Sequence, residues 1–209
     1  VISLIILIYF SFIGKNQDIF YILIYSYLFF IIGYFDDRYG LNAYLKLAIS
    51  VIITLIAVSS FEFFIIEKIY LKSLNKIIFL DKIKYFFTML CILLFVNALN
   101  LMDGINGLVA GFTSLILILL SLISNNEEIF GLLFMISILM FINTFQIIKG
   151  QFFLGDSGTL FLGCLIGLST ITIYNQQLIA GNFIPVEKIF IFFMIPGVDM
   201  FRLFLIRIL

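Results

Sequence analysis

The sequence predicts an all-α protein, a polytopic bundle of transmembrane helices. Apolar residues make up 64% of its 209 residues and charged residues only 11%, whereas a soluble domain has about 45–50% and about 25%. The apolar residues are collected into long runs close to the length of a membrane span. Short polar or glycine-containing connections separate these runs, which is the pattern of consecutive spans.

About eight apolar runs account for most of the chain. A span needs roughly twenty apolar residues, with about 17–25 tolerated, and helices are expected because a backbone in lipid must satisfy its own hydrogen bonds. We expect one transmembrane domain over residues 1–209, interpreted as the middle of a longer protein, truncated at both ends, because Val1 and Leu209 lie inside apolar runs. The predicted spans are residues 1–13 (a short run), 19–35, 43–61, 84–99, 108–124, 129–148, 158–174 and 189–207.

Composition narrows the chemistry that the chain can perform. The formal net charge is +0, so there is no electrostatic basis for binding nucleic acid, and membrane lipids are the expected surroundings. The sequence contains 0 histidines, so acid–base or metal chemistry within it must use carboxylates, amides or lysines.

Every second connection between spans must lie on the same membrane face. The connections that contain "YFDDRYGLN", "NALNLMDGINGL" and "KGQFFLGDSG" therefore share one face, together with the end of the last run. The long connection at 62–83 lies on the other face, where we expect a small hairpin or an interfacial segment. Five Lys and Arg lie on the first face and seven on the second, so the positive-inside rule leans weakly against a cytoplasmic first face.

The "NALNLMDGINGL" motif sets polar side chains three residues apart at the end of a span. Asn97, Asn100, Asp103 and Asn106 would lie along one slowly drifting stripe of a helix. Gly104 lets the backbone turn and approach a ligand closely. Taken alone, the motif could equally be a polar cap between two spans, with Asp103 capping the next helix.

The "FDDRYGL" motif places two adjacent carboxylates at a span end. Asp36 and Asp37 repel one another unless a cation lies nearby, and Arg38 or Mg²⁺ could supply it, since Mg²⁺ favours one or two carboxylates with phosphate oxygens and water. Taken alone, this motif is more typical of a solvated loop that carries a stop-transfer charge.

The "FFLGDSGTLFLG" motif marks the entry from a loop into a helix. Asp156 or Ser157 would serve as its N-cap, and the backbone N–H groups beyond could face an anion. Mg²⁺ held by Asp156 would then share a phosphate site with these donors. Phe153 could stack on a flat ring, although one Phe among 27 is more often a packing residue.

Three glycine-flanked acidic connections on one face favour a Mg²⁺–diphosphate site at the membrane surface. A cation-coupled transporter with an Asp/Asn ion site is the alternative, and a non-catalytic membrane scaffold is a third. Transporter sites lie near the midplane in broken helices, whereas these acidic residues lie at span ends.

The three motifs, in this order and spacing, resemble those of the polyprenyl-phosphate N-acetylhexosamine-1-phosphate transferases. This family, similar to glycosyltransferase family 4, includes undecaprenyl-phosphate GlcNAc-1-phosphate transferases and phospho-MurNAc-pentapeptide translocases. The resemblance extends over nearly the whole chain, because the number of spans between the motifs also fits.

The resemblance implies a Mg²⁺-dependent enzyme, with Mn²⁺ as the substitute ion. Polyprenyl phosphate would attack a UDP-N-acetylhexosamine and release UMP, in the first membrane step of cell-wall or surface polysaccharide synthesis such as lipopolysaccharide. It also implies a multi-pass protein of the bacterial inner membrane with a cytoplasmic active face, an extracytoplasmic hairpin at 62–83, and a homodimer among its expected states.

The resemblance also implies roles for individual residues. Asp156 matches the principal Mg²⁺ ligand, Asn97 a polar residue near the metal, and Phe153 the aromatic that stacks on uracil. The predicted catalytic residues are Asp36, Asp37, Asp103 and Asp156, the predicted substrate-binding residues are Lys46, Asn97, Asn100, Gly104, Ile105, Asn106 and Phe153, and the predicted metal ligands are Asp156 and Asn97.

The sequence departs from the family pattern in three places. Asn106 stands where Asp is usual, which keeps an acceptor but removes the charge. Gln146 and Lys149 stand where Asn and Pro are common. The family's first helix, Gly-Gly loop and His-rich loop have no counterpart in residues 1–209, and because the His-rich loop helps to choose the sugar, the sugar is not predicted.

Overall fold

The computed structural model describes residues 16–104 and 107–208. The first predicted span, at residues 1–13, and the predicted nucleotide-binding residues Ile105 and Asn106 lie outside the described residues.

A bundle of helices dominates the described part of the chain, which confirms the predicted fold class. Five helical segments, Gln17–Tyr39, Ala43–Ser60, Asp81–Met102, Glu127–Ile148 and Gly155–Ile179, are long and apolar enough to cross a membrane, and the apolar helix Leu108–Ile123 is shorter. The count of eight spans is therefore not confirmed. The helices are α1 (Gln17–Tyr39), α2 (Ala43–Ser60), α3 (Lys84–Met102), α4 (Leu108–Ile123), α5 (Glu127–Ile148), α6 (Gly155–Ile179) and α7 (Val186–Ile208).

Asparagine side chains define where three helices begin. Asn16 accepts a hydrogen bond from the Asp18 N–H, and Asn42 accepts one from the Tyr44 N–H. Asn126 accepts from two backbone N–H groups at the start of α5. Each amide oxygen satisfies a helix donor that has no partner within the helix. Helices α1 and α5 therefore start before their predicted apolar runs, whereas α2 starts at residue 43, where its predicted run begins.

Helix α6 is the centre of the bundle. It packs against α1, α3 and α4, while α5 packs on α4 and α7 packs on α3. A helix that is apolar on all sides is expected to be buried, and α6 is buried along most of its length. Its two ends therefore fix the positions of features at opposite ends of the bundle.

The predicted hairpin at 62–83 is present. Strands β1 (Lys68–Leu71) and β2 (Lys76–Phe79) pair antiparallel between two short 3₁₀ turns. Tyr174 near the end of α6 accepts a hydrogen bond from the Tyr70 N–H and donates one to the Lys68 carbonyl, at 3.0 and 3.1 Å. The hairpin is thus attached to the C-terminal end of α6.

The acidic start of α6 and the hairpin lie at opposite ends of the bundle. Asp156 and Tyr174 are separated by about eighteen helical residues, or about 27 Å at about 1.5 Å per residue. This is close to the thickness of the hydrocarbon core, about 30 Å. The fold therefore assigns the acidic motifs and the hairpin to different membrane surfaces.

Replacing Tyr174 with Phe is expected to loosen the hairpin. The change leaves the Tyr70 N–H and the Lys68 carbonyl without their shared partner, which costs about 1–3 kcal/mol where such groups are shielded from water. Amide exchange over residues 68–79, followed by mass spectrometry, should accelerate roughly tenfold. Tyr44→Phe is the control, because that side chain is 83% exposed. Equal exchange in both variants would contradict the anchoring role.

Candidate active site

The end of α1 crosses the start of α6 at very short range. A Cβ atom built on Gly33 would lie 2.4 Å from the carbonyl oxygen of Asp156 and 2.4 Å from the Cα of Ser157. Real Cβ atoms do not tolerate such distances, so a glycine is required where the two backbones meet. This contact brings the "FDDRYGL" and "GDSG" motifs together.

Asp37 binds the first turn of α6 directly. Its Oδ1 accepts a hydrogen bond from the Asp156 N–H at 2.8 Å, and its Oδ2 accepts one from the Ser157 N–H at 3.0 Å. The prediction that Asp156 or Ser157 is the N-cap is wrong, because the helix starts at Gly155 and Leu154 occupies the N-cap position. A carboxylate from another helix caps α6 instead, where the helix dipole favours a negative charge.

Lys46 links two carboxylates from different helices. Its Nζ lies 2.5 Å from Asp36 Oδ2 and 2.5 Å from Asp156 Oδ2. The other oxygen of Asp36 accepts from the Leu41 N–H at 2.7 Å. All three charged side chains are at most one-third exposed, so this group is screened by solvent less than a surface ion pair. It joins α1, α2 and α6 at one point.

The "NALNLMDGINGL" motif reaches the same place through Asn100. The Thr159 hydroxyl, one turn into α6, donates to Asn100 Oδ1 at 2.5 Å. Asn97 instead donates from its Nδ2 to the Leu93 carbonyl of its own helix at 2.7 Å. Among the stripe residues that the structure describes, Asn100 is the one with a side-chain hydrogen bond to α6.

Asp103, at the end of α3, lies close to the carboxylates of Asp156 and Asp37. Burial, together with the negative charges of Asp156 and Asp37, raises the pKa of Asp103 to about 6. Asp103 is the C-cap residue of α3, and Gly107 is the N-cap of α4, so the alternative in which Asp103 caps the next helix is wrong. Among the described residues, and apart from its chain neighbours, no atom lies within 4 Å of a Cβ atom built on Gly104, the next residue.

Phe153 lies in the segment that leads into α6, with 72% of its surface exposed. A large aromatic ring this exposed is not a packing residue of the bundle core. Its ring is accessible three residues before Asp156 in the chain, and a ring-stacking role requires such access.

The oxygen-bearing side chains at this site suit a magnesium ion whose coordination shell is completed by a bound substrate and water. Within the described ranges, no group of three or more His, Cys, Asp or Glu side chains is placed to hold a metal by itself. Mg²⁺ commonly uses one or two carboxylates and takes its other oxygens from phosphates and water. Asp156, at the start of α6, and Asp103, at the end of α3, are the carboxylates that could hold such an ion.

Two residues that position this site were not predicted from the sequence. Gly33 precedes Asp37 by one helical turn, and Thr159 follows Asp156 by three residues. A glycine inside an apolar run, one turn before the acidic pair, was the available signal for close helix packing. Thr159 gave a weaker signal, because its spacing only puts it on the same helix face as Asp156.

Fold and site together define a multi-pass helical membrane protein whose acidic, glycine-lined site lies at one end of the bundle. A family model described as glycosyl transferase family 4 matches residues 19–174. The matched segment runs from α1 into the C-terminal part of α6 and includes all three acidic motifs. The chain belongs to glycosyl transferase family 4, which confirms the resemblance inferred from the motifs.

Two kinds of name occur among the curated relatives of this chain. A probable undecaprenyl-phosphate N-acetylglucosaminyl 1-phosphate transferase of Bacillus subtilis (strain 168) is 28% identical over 77% of this chain and 46% of its own length. Phospho-N-acetylmuramoyl-pentapeptide-transferases of Wolbachia sp. subsp. Brugia malayi (strain TRS) and Dictyoglomus turgidum are 29% and 35% identical, over 73% and 71% of this chain and 51% and 50% of their own lengths. The chain spans about half the length of the curated relatives that it matches.

Proposed function

We propose that the protein transfers the sugar-1-phosphate of a UDP-N-acetylhexosamine to polyprenyl phosphate. An oxygen of the lipid phosphate forms a bond to the β-phosphorus of the nucleotide sugar. The bond from that phosphorus to the bridging oxygen breaks, and UMP leaves. The observation that carries this proposal is the meeting of Asp36, Lys46 and Asp156 beside the capped start of α6.

The group of Asp36, Lys46 and Asp156 has two negative charges and one positive charge, so transfer between two phosphate-bearing substrates would also require a divalent cation. Phosphoryl transfer depends on positioning and on neutralising the charge of the phosphate oxygens. The Lys46 ammonium supports such a role, because two carboxylates hold it at the junction of three helices. In this proposal Asp156 and Asn97 would hold Mg²⁺ near Asp103, and the ion would supply the positive charge that neutralises the diphosphate.

The nucleotide would bind on the side of the site formed by Phe153 and the end of α3. The exposed Phe153 ring provides a face for uracil. Directly after Asp103, the chain continues with Gly104, Ile105 and Asn106. In this proposal these three residues form the turn that binds uracil.

The proposed lipid acceptor implies a location in the bacterial inner membrane with the active face cytoplasmic. The product would then enter cell-wall or surface polysaccharide synthesis. The acidic group lies at helix ends, where a lipid headgroup and a soluble nucleotide can meet. The transporter alternative gains no support, because the acidic group lies where helices end and not within broken helices at the midplane.

A turnover assay of the full-length protein tests the proposal. We expect UMP release from at least one of UDP-GlcNAc, UDP-GalNAc and UDP-MurNAc-pentapeptide, and only when polyprenyl phosphate and Mg²⁺ are both present. Omission of the lipid separates transfer from hydrolysis, and a chelator removes the metal. UMP release that does not depend on the lipid, or none from any donor, would overturn the proposal.

A further inference from the structure

We infer that Asp37 is a positioning residue: its carboxylate holds the first turn of α6 and thereby sets the Asp156 carboxylate against Lys46. The inference rests on the proposed function where it concerns turnover. It separates Asp37 from its neighbour Asp36, which the sequence had grouped with it as one catalytic pair.

The two adjacent aspartates have partners of different kinds. Asp36 forms an ion pair with Lys46. Asp37 accepts hydrogen bonds from two backbone N–H groups of α6 and uses one oxygen for each. Successive helix residues project about 100° apart, so one side chain faces α2 and the other faces α6.

The surrounding backbone is shaped to receive the Asp37 carboxylate. Gly33, one turn earlier on α1, lets the two helices approach closely enough for Asp37 to reach the amides. Gly155 has a positive φ of 64°, and a Cβ atom there would lie 2.8 Å from Asp37 Oδ2. Glycines therefore stand at both points where a side chain would push Asp37 away.

Asp156 is held from two directions. Its backbone N–H bonds to Asp37, and its side chain contacts Lys46. Leu154, in the N-cap position, has an apolar side chain that cannot accept a hydrogen bond, so Asp37 supplies the polar cap of this turn. Without that cap, the first turn would fray and the Asp156 carboxylate would lose its fixed position.

Exchange and turnover of four variants of the full-length protein test this inference. In Asp37→Ala, we expect amide exchange over residues 154–160 to accelerate roughly tenfold, as the loss of an N-cap predicts, and kcat to fall about 10²-fold. Asp37→Asn keeps one acceptor oxygen. Its loss of kcat should therefore be roughly tenfold smaller than that of Asp37→Ala, and its exchange rate over residues 154–160 should lie between those of the wild type and Asp37→Ala. Asp36→Asn should lower turnover without changing exchange at 154–160. Asp81→Asn, at the hairpin end of the bundle, is the matched control and should change neither.

The comparison of Asn with Ala at position 37 decides the outcome. Equal loss of turnover in both variants, with unchanged exchange at 154–160, would show that Asp37 acts on a substrate and would overturn the inference. Wild-type exchange and turnover in Asp37→Ala would also overturn it. If the wild-type protein released no UMP, the proposed function would fail, while the exchange measurement would still test the capping by Asp37.

Discussion

Replacing Asp156 with Asn is expected to lower the rate of UMP release by about 10³-fold or more while the protein stays folded. Asn has nearly the same volume, so the side chain can still contact Lys46 through its carbonyl oxygen. The backbone N–H of residue 156, which donates to Asp37, is unchanged. The variant therefore removes one negative charge from the group that contains Asp36 and Lys46, with little effect on the helix start.

The measurement is UMP release by the full-length protein at saturating Mg²⁺, with thermal unfolding as the check on folding. Glu67→Gln is the matched control, since it also converts a carboxylate to an amide in an ion pair, with Lys84, at the other end of the bundle. Such exposed pairs contribute about 0–1 kcal/mol, so this variant should keep its turnover. Turnover retained by Asp156→Asn would remove Asp156 from the metal-binding role.

The fold was predictable from apolar runs, but the helix ends were not. The sequence predicts a span over 158–174, whereas α6 continues to Ile179. Asn175 donates to the Phe63 and Ile65 carbonyls, and Gln177 donates to the Ile123 carbonyl. Polar side chains that find partners on neighbouring segments are tolerated inside a buried helix, and a count of apolar residues along one segment cannot detect those partners.

The site was predictable as a set of acidic turns on one face, because the alternation of connections depends only on the number of spans. The separate partners of Asp36 and Asp37 were not, since they depend on which side of α1 faces α2 and which faces α6. Magnesium, the UDP-N-acetylhexosamine class of the donor and the homodimer remain predictions.

Replacing Gly33 with Ala is expected to disrupt the site and lower stability together. The added methyl group would lie 2.4 Å from two backbone atoms of residues 156 and 157. Backbone atoms cannot move aside as a flexible side chain can, so α1 and α6 must separate. Overpacking of this kind costs about 1–3 kcal/mol. A displacement of about 1 Å at Asp156 would cost about 10²-fold in turnover.

Gly197→Ala is the matched control, because it also adds one methyl group inside a helix but, within the described part of the chain, meets no atom within 4 Å apart from the backbone of its own helix. Alanine is favoured over glycine in a helix by about 0.8–1.0 kcal/mol, so this control should be at least as stable as the wild type. Thermal unfolding and UMP release are measured for both variants. If Gly33→Ala matched the control in both measurements, the close crossing of α1 and α6 would be wrong, and with it the capping of α6 by Asp37, because that carboxylate reaches the helix only if the two backbones touch.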